Sequence, residues 1–266
     1  MTATLSDVLA KCRADNRAAL IGYLPVGYPS VDVSIDAMRA LVDGGCDIVE
    51  VGIPYSDPVM DGPTIQRATE PAVQAGVGVR DALAAVRAVA HAGAAAVTMG
   101  YWNQVERFGV SAFATELAAA GGSGAITPDL IPDEAAEWIE ATDATGLDRI
   151  FLVAPSSTDA RIVSTTAASR GFVYAAAVMG VTGARTSVGN AAATLVSRVR
   201  ALAPDIPVCV GLGVSTGAQA AQLGAFADGV IVGSALVRCL LDSPDAAGVT
   251  AVRALTEELA QGVRRR

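Results

Sequence analysis

Several residue types that carry chemistry or grip polyanions are scarce in this sequence. Its 266 residues include one histidine, His91, one lysine, Lys11, and four cysteines, and only 5% are aromatic. Lys11 stands in an N-terminal helical stretch rather than on a strand, so a Schiff-base aldolase has no nucleophile here. His91 falls at the end of a helical pattern, where it reads as an ordinary helix-end residue, and this removes a histidine general base and a histidine-ligated metal site. Cys12, Cys46, Cys209 and Cys239 are scattered singly without CxxC spacing, so they are expected to be reduced core residues with no zinc and no disulfide framework. No serine is paired with a base.

Positive charge is also short. Lysine and arginine total 19 against 27 acidic residues, a net charge of −8, which is the wrong sign for wrapping nucleic acid or an anionic membrane. No stretch approaches the roughly 18 uninterrupted apolar residues of a membrane span, because Arg, Asp or Gly breaks each alanine-rich segment. Asp7 stands where an export signal needs its apolar region. A cytoplasmic protein with no nucleic-acid or membrane partner is therefore expected. With 52% apolar and only 17% charged residues, the chain is too hydrophobic for a disordered tail and long enough to bury a large core.

What the sequence does contain is a repeat. Apolar runs lie at 18–24, 47–52, 94–99, 124–127, 149–154, 172–177, 207–213 and 229–234, their starts about 30 residues apart. Amphipathic helical patterns alternate with them. Val31, Ile35, Met38 and Val42 form one stripe between Ser30 and Gly44; Val79, Leu83, Val86 and Ala90 form another, stopped by Gly93. Strands that are apolar on nearly every residue belong in a parallel sheet covered on its faces, and eight βα repeats fit an α/β fold of the closed (β/α)8 TIM-barrel type. An open doubly wound sheet is the alternative, but its glycine fingerprint is missing after the first strand, where the chain reads LPVGYP. A helix over Leu5, Val8, Leu9 and Cys12 is expected to cover the barrel floor, and a last helix carries Val252, Leu255, Leu259 and Val263. The two longest repeats predict extended loops after the second and sixth strands, at the mouth where barrel enzymes keep their chemistry. No linker interrupts 1–266, which reads as a single domain.

Glu50 stands on the second strand with apolar residues on both sides. A partly desolvated carboxyl near a strand's C-terminal end has a raised pKa, which suits a group that gives and takes a proton at neutral pH. The structural alternative is a buried glutamate paired with a buried arginine. Asp61 follows a Pro-containing loop and precedes Gly62-Pro63, placed to fold back toward Glu50 or simply to cap a helix. Glycine turns follow the last three strands: GVTGAR at 180–185, GLGVSTG at 211–217 and GSA at 233–235. Gly211, Leu212, Gly213, Gly233 and Ser234 thereby expose backbone N–H groups suited to a phosphate dianion. Tyr23, Met99, Tyr101, Ile126, Val153 and Tyr174, at or just past strand ends, are either core packing or the apolar walls of a compartment for an aryl group. Proton transfer by carboxylates on an anchored phosphorylated substrate, without a metal or cofactor, is the chemistry left.

The blocks DIVEVGIPYSDPVMDGPTIQ, ITPDLIP, FVYAAAVMGVTGAR and GLGVST…ADGVIVGSA together resemble the tryptophan synthase alpha chain family, in order, across residues 16–262. The resemblance implies a lyase of tryptophan biosynthesis that cleaves indole-3-glycerol phosphate, by a retro-aldol reaction, to indole and glyceraldehyde 3-phosphate. It implies that Glu50 protonates indole C3 and accepts the hydroxyl proton, that Asp61 holds the indole N–H, and that Thr182 and Gly183, in a closing lid, join the phosphate site. It further implies a beta-chain partner in an alpha2-beta2 heterotetramer, touched through Asp57 and Pro58. Pyridoxal phosphate would sit on that partner only. Tyr23 stands where phenylalanine is common in the family, and Met179 where some members have arginine. A stand-alone lyase and a non-catalytic activator of a partner enzyme are the alternatives within this scaffold; both carboxylates are present, which argues against the second.

Overall fold

The apolar runs become the strands of one parallel sheet, because residues apolar on both faces can be buried on both. The computed structural model describes residues 4–176 and 185–264, with side chains of the second stretch described from Asn190 onward. Its strands are β1 (Ala19–Pro25), β2 (Ile48–Gly52), β3 (Ala95–Met99), β4 (Gly124–Ile126), β5 (Asp148–Ile150), β6 (Leu152–Val153), β7 (Val173–Ala176), β8 (Val208–Gly211) and β9 (Gly229–Val232). They pair in the order β5-β4-β3-β2-β1-β9-β8-β7-β6. The eight expected runs thus appear as nine segments, because the fifth divides at Phe151. Its first half pairs with β4 and its second with β7, and the Phe151 carbonyl accepts the Tyr174 N–H at 3.0 Å. The two ends of the ladder are therefore consecutive in the chain, and the sheet curls into a barrel around that residue.

Strand alternation sends side chains to two separate cores. Inward-pointing Ile21, Ile48, Val97, Ile126, Ile150, Cys209 and Ile231 pack with Leu5, Leu9 and Cys12 of the N-terminal helix Leu5–Ala14. That helix is the expected floor. Thr4 and Asp7 form a reciprocal cap at its start, the Thr4 hydroxyl accepting from the Asp7 N–H at 3.1 Å and donating to Asp7 Oδ2 at 2.7 Å. The outward set, including Leu20, Leu24, Val49, Val51, Val230 and Val232, packs against the surrounding helices.

The expected helices form where their caps allow. Val31–Asp43 begins at Ser30, whose hydroxyl accepts the Val33 N–H at 3.3 Å. Val79–Ala92 ends at Gly93, whose φ of +97° is the left-handed conformation that stops a helix at little cost to glycine. The long step after the second strand is more than a loop: residues 53–62 lead into an extra helix, Pro63–Gln74, before Val79–Ala92 begins. The connection after the sixth expected strand, here β7, lies at 177–184, outside the described residues, as do Met179, Thr182 and Gly183.

The floor helix should be worth measurable stability. Leu5 is fully buried in the barrel interior, so Leu5→Ala is expected to cost about 2–5 kcal/mol through lost burial and an unfilled cavity, read as a lower urea midpoint. Val163→Ala, at a position 47% exposed, should move the midpoint little.

Candidate active site

The inward rows reach the C-terminal mouth of the barrel and end in a cavity of about 210 Å³. Tyr23, Glu50, Met99, Ile126, Leu152, Tyr174 and Ile231 form its floor and walls from seven strands or strand ends. The loop and helix after β2 contribute Met60, Asp61, Gly62 and Ile65, and the turns after β8 and β9 contribute Gly211, Leu212, Gly213, Gly233 and Ser234. A larger hollow of about 550 Å³ lies outside the barrel beside Tyr55, Arg80, Asp81 and Arg107. Every titratable residue along it is partly or fully exposed, so the smaller cavity at the mouth is where perturbed acid–base chemistry can occur.

Glu50 is 2% exposed. It sits level with Tyr23 on β1 and Val97 on β3, and its Oε2 has no hydrogen-bond partner among the described residues. Desolvation, reinforced by the negative charge of Asp61, pushes its pKa from 4.5 up to about 8. A carboxyl in that range is mostly protonated at neutral pH yet close to ionising, the condition for one group to serve as acid and then as base. The arginine partner of the structural alternative is missing: no described basic side chain lines the cavity, and buried Arg149 instead pairs with Asp143 at 2.6 Å.

Asp61 does fold back over the mouth. Its carbonyl accepts Gln66 Nε2 at 2.7 Å, and its carboxylate Oδ1 accepts the Tyr101 hydroxyl at 3.0 Å. It is not a helix cap. Gly62 holds the cap position of Pro63–Gln74, and no side chain bonds the first turn. Burial raises the Asp61 pKa, and the hydrogen bond from Tyr101 opposes that rise. Tyr23 and Tyr174 are pushed well above the usual phenol range by burial and by the charges of the carboxylates, so both remain protonated beside Glu50. Each has a glycine as its neighbour. A Cβ on Gly52 would lie 2.5 Å from the Tyr23 hydroxyl oxygen, and one on Gly211 would overlap that of Tyr174.

The glycine turns meet at one side of the cavity. Gly213 has a φ of +61°, a turn that suits glycine. Gly233 precedes the helix Ser234–Asp242, whose first turn has no side-chain cap, leaving amide groups and the positive end of the helix dipole available to an anion.

Two expected cavity residues are elsewhere. Val153 faces away from the mouth into the layer between sheet and helices; alternation gives the inward position to its neighbour Leu152. Tyr101 does not line the cavity but stands behind Asp61. Tyr23, Met99, Ile126 and Tyr174 line it, as do the five expected residues of the last two turns. Asp57 is exposed on the loop that carries Asp61, with Pro58 half-buried next to it. Ile231 and Leu152 escaped the sequence reading, although counting by twos from Gly229 and Ile150 would have found both. Met60 and Ile65 lie on a loop and a helix and carry no such periodic signal. Among the described residues no cluster of His, Cys, Asp or Glu has a metal-binding arrangement.

This architecture has close relatives. The model of the family described as tryptophan synthase alpha chain matches residues 9–264. The tryptophan synthase alpha chain of Mycobacterium marinum is 65% identical over 262 residues, spanning 98% of this chain and 95% of that one. Among solved structures, ligand-free tryptophan synthase from M. tuberculosis superposes with a TM-score of 0.90 at 61% identity, covering 98% of this chain and 100% of that chain. Tryptophan synthase subunit alpha from Legionella pneumophila keeps a TM-score of 0.88 at 31% identity, with 97% of each chain covered.

The raised pKa of Glu50 has a stability consequence. A folded-state value of about 8 against 4.5 unfolded means that its contribution is fully present below the unfolded pKa and lost as pH rises through the folded one. Stability is expected to fall between about pH 5 and pH 8 by up to about 5 kcal/mol from this group. Urea denaturation at pH 5, 7 and 9 should show that decline in the parent chain and a flatter profile in Glu50→Gln.

Proposed function

The chain belongs to the tryptophan synthase alpha chain family, lyases that cleave indole-3-glycerol phosphate, and from that premise we propose that Glu50 and Asp61 carry the reaction here. The observation that bears most weight is a carboxyl buried without a counter-ion, one oxygen unpartnered, on the floor of a cavity that also holds a second carboxylate.

Protonated Glu50 delivers its proton to indole C3. The ring becomes an indolenine-like cation, with its N–H hydrogen-bonded to the Asp61 carboxylate, whose charge opposes the positive charge as it develops. Glu50, now ionised, takes the proton of the side-chain hydroxyl next to the scissile bond. The C–C bond then breaks, its electron pair restoring the aromatic ring, and indole and glyceraldehyde 3-phosphate leave with all protons accounted for. Gly213, Gly233 and Ser234 hold the phosphate through backbone amides, with Gly211 and Leu212 beside them in the same site, and Thr182 and Gly183, which lie outside the described residues, join that site as the family resemblance implies. Tyr23, Met99, Ile126 and Tyr174 form the aryl compartment. Proton transfer of this kind is worth roughly 10²–10⁴-fold in rate.

The remainder of the proposal concerns the assembly. The chain works as one TIM-barrel domain without a cofactor of its own, in an alpha2-beta2 heterotetramer whose beta chain carries pyridoxal phosphate and receives the indole. Asp57 and Pro58 present the contact, on the loop that carries Asp61; an apolar product that passes directly to a partner need not cross solvent. Net charge −8 disfavours nucleic acid. Among the described residues, no helix is long and apolar enough to cross a membrane, in keeping with a cytoplasmic enzyme.

Indole release from indole-3-glycerol phosphate, measured with the chain alone and then with a tryptophan synthase beta chain, tests this reading. Slow release that rises sharply with the partner is expected. Fast release indifferent to the partner would instead mark a stand-alone lyase. Glu50→Gln should lower turnover at least about 10³-fold while substrate still binds, and Asp61→Asn should be severely impaired because an amide cannot offset the cation. Normal turnover by Glu50→Gln would overturn the assignment.

A further inference from the structure

Asp61 lies on a loop with no regular structure, next to Val59 and Met60, which are 74% and 45% exposed. A carboxylate that must meet a ring N–H needs a fixed direction, and the loop's own backbone supplies little. The support comes from the segment that follows β3. Tyr101, 2% exposed, uses its one hydroxyl twice, accepting the Met60 N–H at 3.1 Å and donating to Asp61 Oδ1 at 3.0 Å. Its ring stacks on Tyr55 with centroids 5.0 Å apart. Three residues on, Gln104 donates to the Pro54 carbonyl at 2.8 Å and accepts the Tyr101 N–H at 3.3 Å. The loop is thus held at both ends by residues of a single turn.

Two details set the Tyr101 hydroxyl apart from general packing. Its only proton goes to Asp61, since the Met60 amide can only donate to the hydroxyl oxygen and the carboxylate can only accept from it, so the bond has one direction. It also takes only Oδ1. No hydrogen bond to Oδ2 is formed among the described residues, and Asp61 itself lines the cavity.

We propose that Tyr101 is a positioning residue that aims the Asp61 carboxylate at the substrate through a single hydroxyl fixed by the Met60 amide. The proposal rests on the role given above to Asp61 and changes the place of Tyr101 from a substrate wall to a support behind the carboxylate. The groups facing Asp61 are Glu50 on β2, Tyr23 on β1 and Tyr101 itself. None is cationic, so the phenol is the one group among them that stabilises the ionised form.

Tyr101→Phe keeps the ring and its stack on Tyr55 and removes only the hydroxyl. In the complex with a beta chain, kcat for indole release should fall about 10-fold, the loss of one hydrogen bond to a charged group, with KM changed less than about twofold because the phosphate anchor is untouched. The acid limb of the kcat/KM profile should move to higher pH. Independently of turnover, the ¹³C-carboxyl titration of Asp61 in the free chain should shift its midpoint upward in Tyr101→Phe. It should shift downward with 3-fluorotyrosine at position 101, a stronger donor of nearly the same shape. Unmoved midpoints in both variants would overturn the proposal, as would a rise in KM that accounts for the whole kinetic loss, the mark of a substrate contact. If the parent chain released no indole, the functional reading would fail while the titration still decided whether Tyr101 controls Asp61.

Discussion

A carboxyl group buried with no cation beside it is the constraint on which the rest of this site depends. Moving an ionised glutamate out of water is costly, and the usual remedy is an arginine or lysine partner. At Glu50 that remedy is withheld. The cavity around it offers no cation among the described residues; burial among aromatic and aliphatic side chains and the charge of a second carboxylate both favour the protonated form. The price is a group destabilised as an anion; the return is a proton held loosely enough to be exchanged with a substrate near neutral pH.

The barrel makes this arrangement possible because it separates two kinds of inward position. Deep in the barrel, Ile21, Ile48, Val97 and Cys209 pack against the N-terminal helix and exclude water from below. One step further along the same strands, Tyr23, Glu50, Met99 and Gly211 face an open mouth. Rigid parallel strands fix the first carboxylate, whereas the second arrives on a loop and needs Tyr101 to hold it. The two tyrosines beside Glu50 find room because the adjacent strands carry glycine where any Cβ would collide with a phenol.

Much of this was legible in the chain by itself. The eight apolar runs, the stripe from Val31 to Val42 and the caps at Ser30 and Gly93 are local signals, each written within a dozen residues, and local signals survive in a one-dimensional record. Glu50 stood out for the same reason, since a lone carboxylate among β-branched neighbours breaks the pattern of its own strand. Val153 misled because a run apolar on every residue conceals its parity: both faces of such a strand are buried, and nothing in the letters says which one looks into the barrel. Tyr101 misled because a side chain just past a strand end can face the substrate or face whatever loop returns to that point.

The sequence by itself therefore determined the fold class, the buried acid, the glycine turns and the family, because these rest on short periods and contiguous motifs. Only the tertiary structure decided that the fifth strand breaks at Phe151 to join both ends of the sheet, that Leu152 rather than Val153 faces the cavity, and that Asp61 is held by a tyrosine 40 residues away. These are contacts between segments far apart in the chain, and their geometry exists only once the strands are in register and the barrel has closed.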